Sequence, residues 1–146
     1  MRVAVEEVHE VTGELVDAAR HLVPQLAGSA TPLGLDDLTR IVGHQAITLL
    51  VARGDGVIVG MLTLVTFPLP TGLRARIEDV VVDESARGQG VGTALTMAAV
   101  ALGQRQGARS IDLTSRASRV AANRLYQRLG FQRRDSNVYR YRPPAG

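Results

Sequence analysis

The sequence predicts an α/β chain of the α+β type, with a mixed, mostly antiparallel central sheet and helices on both of its faces. Three observations carry this. β-Branched runs cluster in the middle of the chain, turn residues separate them, and apolar residues recur at helical spacing before and after them. From residue 84 onward helix and strand signals alternate, the order that produces a parallel strand at the edge of a sheet. With 146 residues, one domain spanning 1–146 is expected.

In order, a strand is expected near Val3–Val5. Val11, Leu15, Ala18, Leu22 and Leu26 mark an amphipathic helix over about 11–26. Residues 28–34, with Pro32, form a turn-rich break. Asp36 or Asp37 can cap a second helix that turns Leu38, Ile41 and Val42 inward. Ile47–Ala52 and Val57–Thr66 read as strands joined by the turn Gly54-Asp55-Gly56. Phe67–Gly72, with Pro68 and Pro70, reads as an irregular loop, and Ala75–Asp83 as a buried strand. A glycine-rich loop over 84–92 leads into a helix to about Gln106, which Gly107 ends. Arg109–Thr114 is a strand, and Ser118 is the expected cap of a helix striped by Ala121, Ala122, Leu125 and Leu129 and closed by Gly130. Phe131–Arg133 and Asn137–Arg142 complete the pattern as a closing hairpin.

Composition removes several functions. Cysteine is absent, which excludes disulfides, thiolate metal sites and a cysteine nucleophile. All 17 basic residues are arginine, so no lysine Schiff base and no Walker-type phosphate lysine exists. His9, His21 and His44 lack metal-ligand spacing and read as surface or edge residues, so no metal is expected. Aromatics are 3% and no basic run is interleaved with stacking residues, which argues against nucleic acid. No 18-residue apolar run indicates a membrane span, and no secretory signal is visible, so a cytoplasmic location is expected.

The most informative segment is Arg87-Gly88-Gln89-Gly90-Val91-Gly92-Thr93, between a strand and a helix. Glycines allow positive φ and close backbone approach, and the helix that follows offers free N–H groups, so the segment can cradle a diphosphate. Arg87 adds a charged donor. The Walker motif is missing. A dinucleotide fingerprint needs G-x-G-x-x-G, whereas the spacing here is G-x-G-x-G. A tight turn with no ligand is the plain alternative.

Taken with Val80-Val81-Val82 before it and Leu125-Tyr126-Gln127-Arg128-Leu129-Gly130-Phe131 after it, this loop resembles the GCN5-related N-acetyltransferase (GNAT) family. The resemblance covers Ile77–Phe131 and implies the GNAT fold, with acetyl-CoA as co-substrate. It implies that the backbone of Val80, Val81 and Val82 pairs with the pantetheine arm, and that Arg87, Gly88, Gln89, Gly90, Val91, Gly92 and Thr93 hold the pyrophosphate. It implies a splayed sheet with the thioester in the gap, polarised by an N–H near Val80 or Val81. Where the family often has asparagine, seven residues before the tyrosine, this chain has Arg119; Asn123, one turn on, is the candidate for that contact.

Tyr126 is either a core tyrosine or, as the resemblance implies, the acid that protonates the departing thiolate. Catalysis needs a proton acceptor because a free amine is protonated at neutral pH. Glu78 is the candidate base; Asp79 is expected on the opposite face of the strand, contacting substrate or a second subunit. The arginines at 116, 119, 124 and 128 read as a solvated face or as a grip on a phosphate. The expected reaction is direct acetyl transfer to a primary amine of a small polar molecule. Arg74 and Arg76 suit an acidic group on the acceptor and would repel a basic protein tail. The alternatives are a protein or peptide N-acetyltransferase, or a non-enzymatic acetyl-CoA sensor. Alternating Tyr139, Arg140, Tyr141 and Arg142 suggest an edge strand for a homodimer.

Overall fold

Three long apolar segments, joined by two-residue turns at Asp55-Gly56 and Pro70-Thr71, build the centre of the molecule. The computed structural model describes residues 1–28 and 32–145; part of the expected break, 29–31, lies outside them. The elements are β1 (Val3–Glu7), α1 (Gly13–Leu26), α2 (Leu35–Val42), β2 (Ile47–Gly54), β3 (Val57–Leu69), β4 (Gly72–Val82), a 3-10 turn (Glu84–Ala86), α3 (Val91–Arg105), β5 (Ile111–Asp112) and α4 (Val120–Arg128). The sheet order is β1-β2-β3-β4-β5. Its first four strands are antiparallel, and β5 joins β4 in parallel. No helix among the described residues is long and apolar enough to cross a membrane.

The chain divides into two compact units, residues 1–114 and 115–146. In the first, the faces of the sheet separate cleanly. Leu49, Val51, Met61 and Val81 form one core with Leu15, Ala19 and Leu22 of α1 and Leu38 of α2. On the other face Gly60 lets α3 approach: a Cβ there would lie 3.0 Å from both Leu95 and Val91. Leu62 and Leu64 follow Gly60 at alternate positions and are fully buried.

β4 changes faces along its length. Glu78 pairs with Thr63 and Val81 with Met61, so Asp79 and Val80 together oppose the single residue Leu62. This is a β-bulge, and Asp79 takes φ +50° within it. Ile77 pairs with Leu64 on the α3 face, whereas Val81 lies in the α1 core. The simple alternation expected across Glu78 and Asp79 is therefore interrupted.

Several expectations are corrected. Phe67–Gly72 is not an irregular loop: β3 continues to Leu69, and Phe67, Pro68 and Leu69 pair with Arg74, Leu73 and Gly72. Proline is tolerated because the β2 pairing of β3 stops at Ile47–Val65, leaving this stretch of β3 an edge strand. The α2 N-cap is Gly34 rather than an aspartate; Asp37 acts from the third position, accepting the Gly34 N–H at 3.0 Å. Ser118 does not cap α4, whose flanking residue is Arg119. β5 is two residues instead of six.

In the second unit the closing hairpin is absent. Residues 132–145 carry no strand and are exposed, with Tyr139 at 89% and Tyr141 at 82%. Alternation puts Tyr139 and Tyr141 on one face and Arg140 and Arg142 on the other, so a hairpin here would have only two tyrosines to bury, and a lone hairpin is marginal in water. The edge on which dimerisation was expected to rest is thus not formed.

Candidate functional site

β5 accompanies β4 only at Ala75–Ile111 and Arg76–Asp112. Beyond Arg76 the β5-side edge of β4 has no strand beside it among the described residues. Ile77–Val82 therefore presents an open backbone edge, and the expected splay of the sheet lies at this divergence. Glu78 and Asp79 are exposed on it, Val80 and Val82 half-buried, and Val81 is turned into the core. Arg76 donates to Glu78 at 3.2 Å and to Thr114 Oγ1 at 3.0 Å, while Arg74 donates to Ser110 and Thr71. Both arginines are pinned beside the divergence.

The open edge is followed by Asp83, the 3-10 turn Glu84–Ala86 and then the glycine loop. Gly88 has φ +74° and Gly90 φ +83°, values that disfavour any side chain. A Cβ at either position would meet nothing within 4 Å. The glycines serve conformation, and the space over them is open to a ligand. Ala94 N–H bonds to the Gly90 carbonyl, so the N–H groups of Val91, Gly92 and Thr93 have no intrahelical acceptor. Arg87 is exposed, with its Nε donating to the Val82 carbonyl at 3.3 Å. Gln89 is exposed and reaches back to the Ser85 carbonyl at 3.4 Å. These donors at the positive end of a four-turn helix fit a diphosphate.

A hydrogen-bonded cluster at the exit of β4 was not read from the sequence. Asp83 is 8% exposed. Its Oδ1 receives Gln25 Nε2 at 2.8 Å and lies 2.7 Å from His21 Nε2. Its Oδ2 receives the Ser85 N–H at 3.2 Å and the Ser85 hydroxyl. His21, taken as a surface histidine, is thus a partner of Asp83. The available signals were the spacing of His21 and Gln25, which places them one turn apart on a helix, and the Asp-x-Ser turn sequence.

The Ser85 hydroxyl, followed by Gln25, holds the Asp83 carboxyl well below its ordinary range; burial opposes them, and His21 and the Ser85 N–H add to the lowering. A depressed folded-state pKa stabilises the fold above the unfolded value, about pH 4, and that contribution is lost as pH falls below it. Asp83→Asn should therefore flatten the loss of stability below pH 4. Urea unfolding across acidic buffers checks this; an unaltered slope would contradict it.

In the second unit Tyr126 is half-buried on α4 and packs edge-on against Phe131, with ring centroids 5.9 Å apart at 68°. Burial pushes its phenol above the usual tyrosine value, against the opposing charge of Arg119. It is protonated at neutral pH, as an acid must be. Asn123 donates its amide to the carbonyls of Arg119 at 2.8 Å and Arg116 at 2.9 Å. Its NH₂ group thus satisfies carbonyls at the approach to α4, whose first N–H groups have no side-chain cap, and the amide oxygen remains as its available polar atom. Among the described residues no group of three or more His, Cys, Asp or Glu is arranged to hold a metal.

The layered sheet, its divergence and the glycine-lined helix start define an acyl-CoA-dependent transferase architecture. Residues 15–131 match the model of the Acetyltransferase (GNAT) family, and the chain belongs to this acetyltransferase family. It is 38% identical over 71 residues to N-alpha-acetyltransferase 30 of Schizosaccharomyces pombe, a match covering 49% of this chain and 47% of that protein. The match thus spans about half the length of that relative. A transcriptional regulator from Bacillus halodurans C-125 superposes with TM-score 0.80 at 28% identity, over 96% of this chain and 99% of that one. An aminoglycoside acetyltransferase from an uncultured soil metagenomic sample, in complex with trehalose, gives TM-score 0.86 at 18% identity over 98% and 97%. The latter likeness establishes the shared fold.

Proposed function

We propose that the chain transfers the acetyl group of acetyl-CoA to a primary amine of a small polar molecule, by direct attack. The observation that carries this is the open edge of β4, followed through one short 3-10 turn by a glycine loop and a donor-rich helix start. Both units would serve one functional domain, since the family match spans them. The backbone of Val80, Val81 and Val82 would hold the pantetheine arm, and residues 87–93 the pyrophosphate, with Asn123 offering its amide oxygen.

Acetyl-CoA, when bound, supplies the activated acetyl group. Glu78, exposed at the divergence, accepts the proton of the attacking amine directly or through water. An N–H of the bulged strand near Val80 or Val81 polarises the thioester carbonyl. Tyr126 donates its phenolic proton to the departing thiolate. The presence of both a candidate proton acceptor and a candidate proton donor favours an enzyme over a cofactor sensor. The charge of Arg74, beside an Arg76 that is paired with Glu78, favours an acceptor bearing an acidic group over a basic protein tail.

The similarity to a yeast N-alpha-acetyltransferase supports a second reading, in which the acceptor is the α-amine of a peptide. A panel of amino acids, amino sugars, polyamines and peptides, with CoA release as the readout, separates the two. Turnover of small amines is expected. Turnover confined to peptides would replace the first reading with the second, and CoA binding without release from any acceptor would leave a sensor.

A further inference from the structure

Gln25 uses both ends of its side chain on one short segment. Its Nε2 donates to Asp83 at 2.8 Å, and its Oε1 receives the Glu84 N–H at 3.0 Å. One turn earlier His21 meets the same carboxylate oxygen at 2.7 Å. The other oxygen is held by Ser85 and begins the 3-10 turn. The Asp83 N–H itself is tied to the Val59 carbonyl at 2.8 Å. The chain between the last residue of β4 and the glycine loop is therefore gripped from α1, from β3 and from its own turn. Four residues further on lies Arg87, whose side chain folds back onto Val82.

We infer that Gln25 and His21 are positioning residues for the diphosphate loop: through Asp83 and Glu84 they set the direction in which the chain leaves β4, and so where the N–H groups of residues 87–93 converge. Neither residue touches the loop, and α1 is otherwise a core-packing helix. Loop backbone is the least constrained part of a fold, and donors must be held within a fraction of an ångström to act together on one anion. An amide that grips a carboxylate and a backbone N–H at once supplies that constraint. The inference rests on the proposed reading of the loop as the diphosphate site.

The test compares two ligands with the full chain: CoA, which carries the diphosphate, and pantetheine, which lacks it. Gln25→Met keeps length and apolar bulk and removes the hydrogen bonds to Asp83 and Glu84, together with one to the His21 carbonyl. Its dissociation constant for CoA, by calorimetry, should rise about tenfold, because donors that no longer converge hold the diphosphate less well. Its affinity for pantetheine, by ligand-observed NMR, should be unchanged. His21→Ala removes one contact from a side chain that is 69% exposed, so the fold is retained; it should weaken CoA about threefold with the same selectivity. Unchanged CoA affinity in both variants, or equal weakening toward both ligands, would overturn the positioning role. If the wild-type chain bound CoA no better than pantetheine, the reading of the loop itself would fall.

Discussion

Gly90→Glu is expected to abolish CoA binding, weakening it at least 100-fold, while the protein still folds. Two effects act in the same direction. Gly90 sits at φ +83° immediately before α3, where any side chain adds about 1–2 kcal/mol of backbone strain. The substituent also points into space with no atom within 4 Å, so it meets no steric barrier from the protein and would stand in the space proposed for the diphosphate. A carboxylate there replaces an attractive field with a repulsive one at the mouth of the helix. Gly90→Ala separates the contributions, since it carries the strain without the charge and should retain part of the affinity. Calorimetry on a folded Gly90→Glu protein that binds CoA normally would remove the basis for the proposed function.

Tyr126→Phe should lower kcat about 100-fold and leave acetyl-CoA affinity nearly unchanged, the signature of a lost proton donor. Phenylalanine keeps the edge-on packing against Phe131, so the thermal midpoint should move little. The control matters because a half-buried aromatic also stabilises its surroundings. A kcat equal to wild type would return Tyr126 to a packing role; a fall in thermal midpoint matching the loss of rate would point to the same conclusion.

Much of the fold was legible because periodicity reports burial. The runs of β2 and β4 and the stripes of α1 and α3 lie on or within two or three residues of the expected elements. The glycine loop was legible for a different reason: two of its glycines occupy backbone conformations that penalise other residues. The rest depended on tertiary pairing. Pro68 marks a loop unless one knows that β2 has already ended beside it. The shortness of β5 follows from where it parts from β4, which no local propensity encodes. The alternation at 137–142 looked like a strand, but a face of two tyrosines, both exposed, is too small to hold a lone hairpin together. The Asp83 cluster joins residues 58 to 62 positions apart, and nothing in either segment alone announces the other.

The bulge at Asp79 gives β4 an unusual relation between length and identity. Ile77 belongs to one half of the hydrophobic interior and Val81 to the other, although the two are four residues apart on one strand. Straightening this strand at constant length would restore strict alternation, place Val81 on the same face as Ile77 and turn it out of the core it shares with α1. Every residue from the bulge to the end of β4 would then exchange faces. Deleting Asp79 or Val80 would instead remove the bulge and leave Val81 opposite Met61, so a deletion here alters the exposed edge and spares the register of the core.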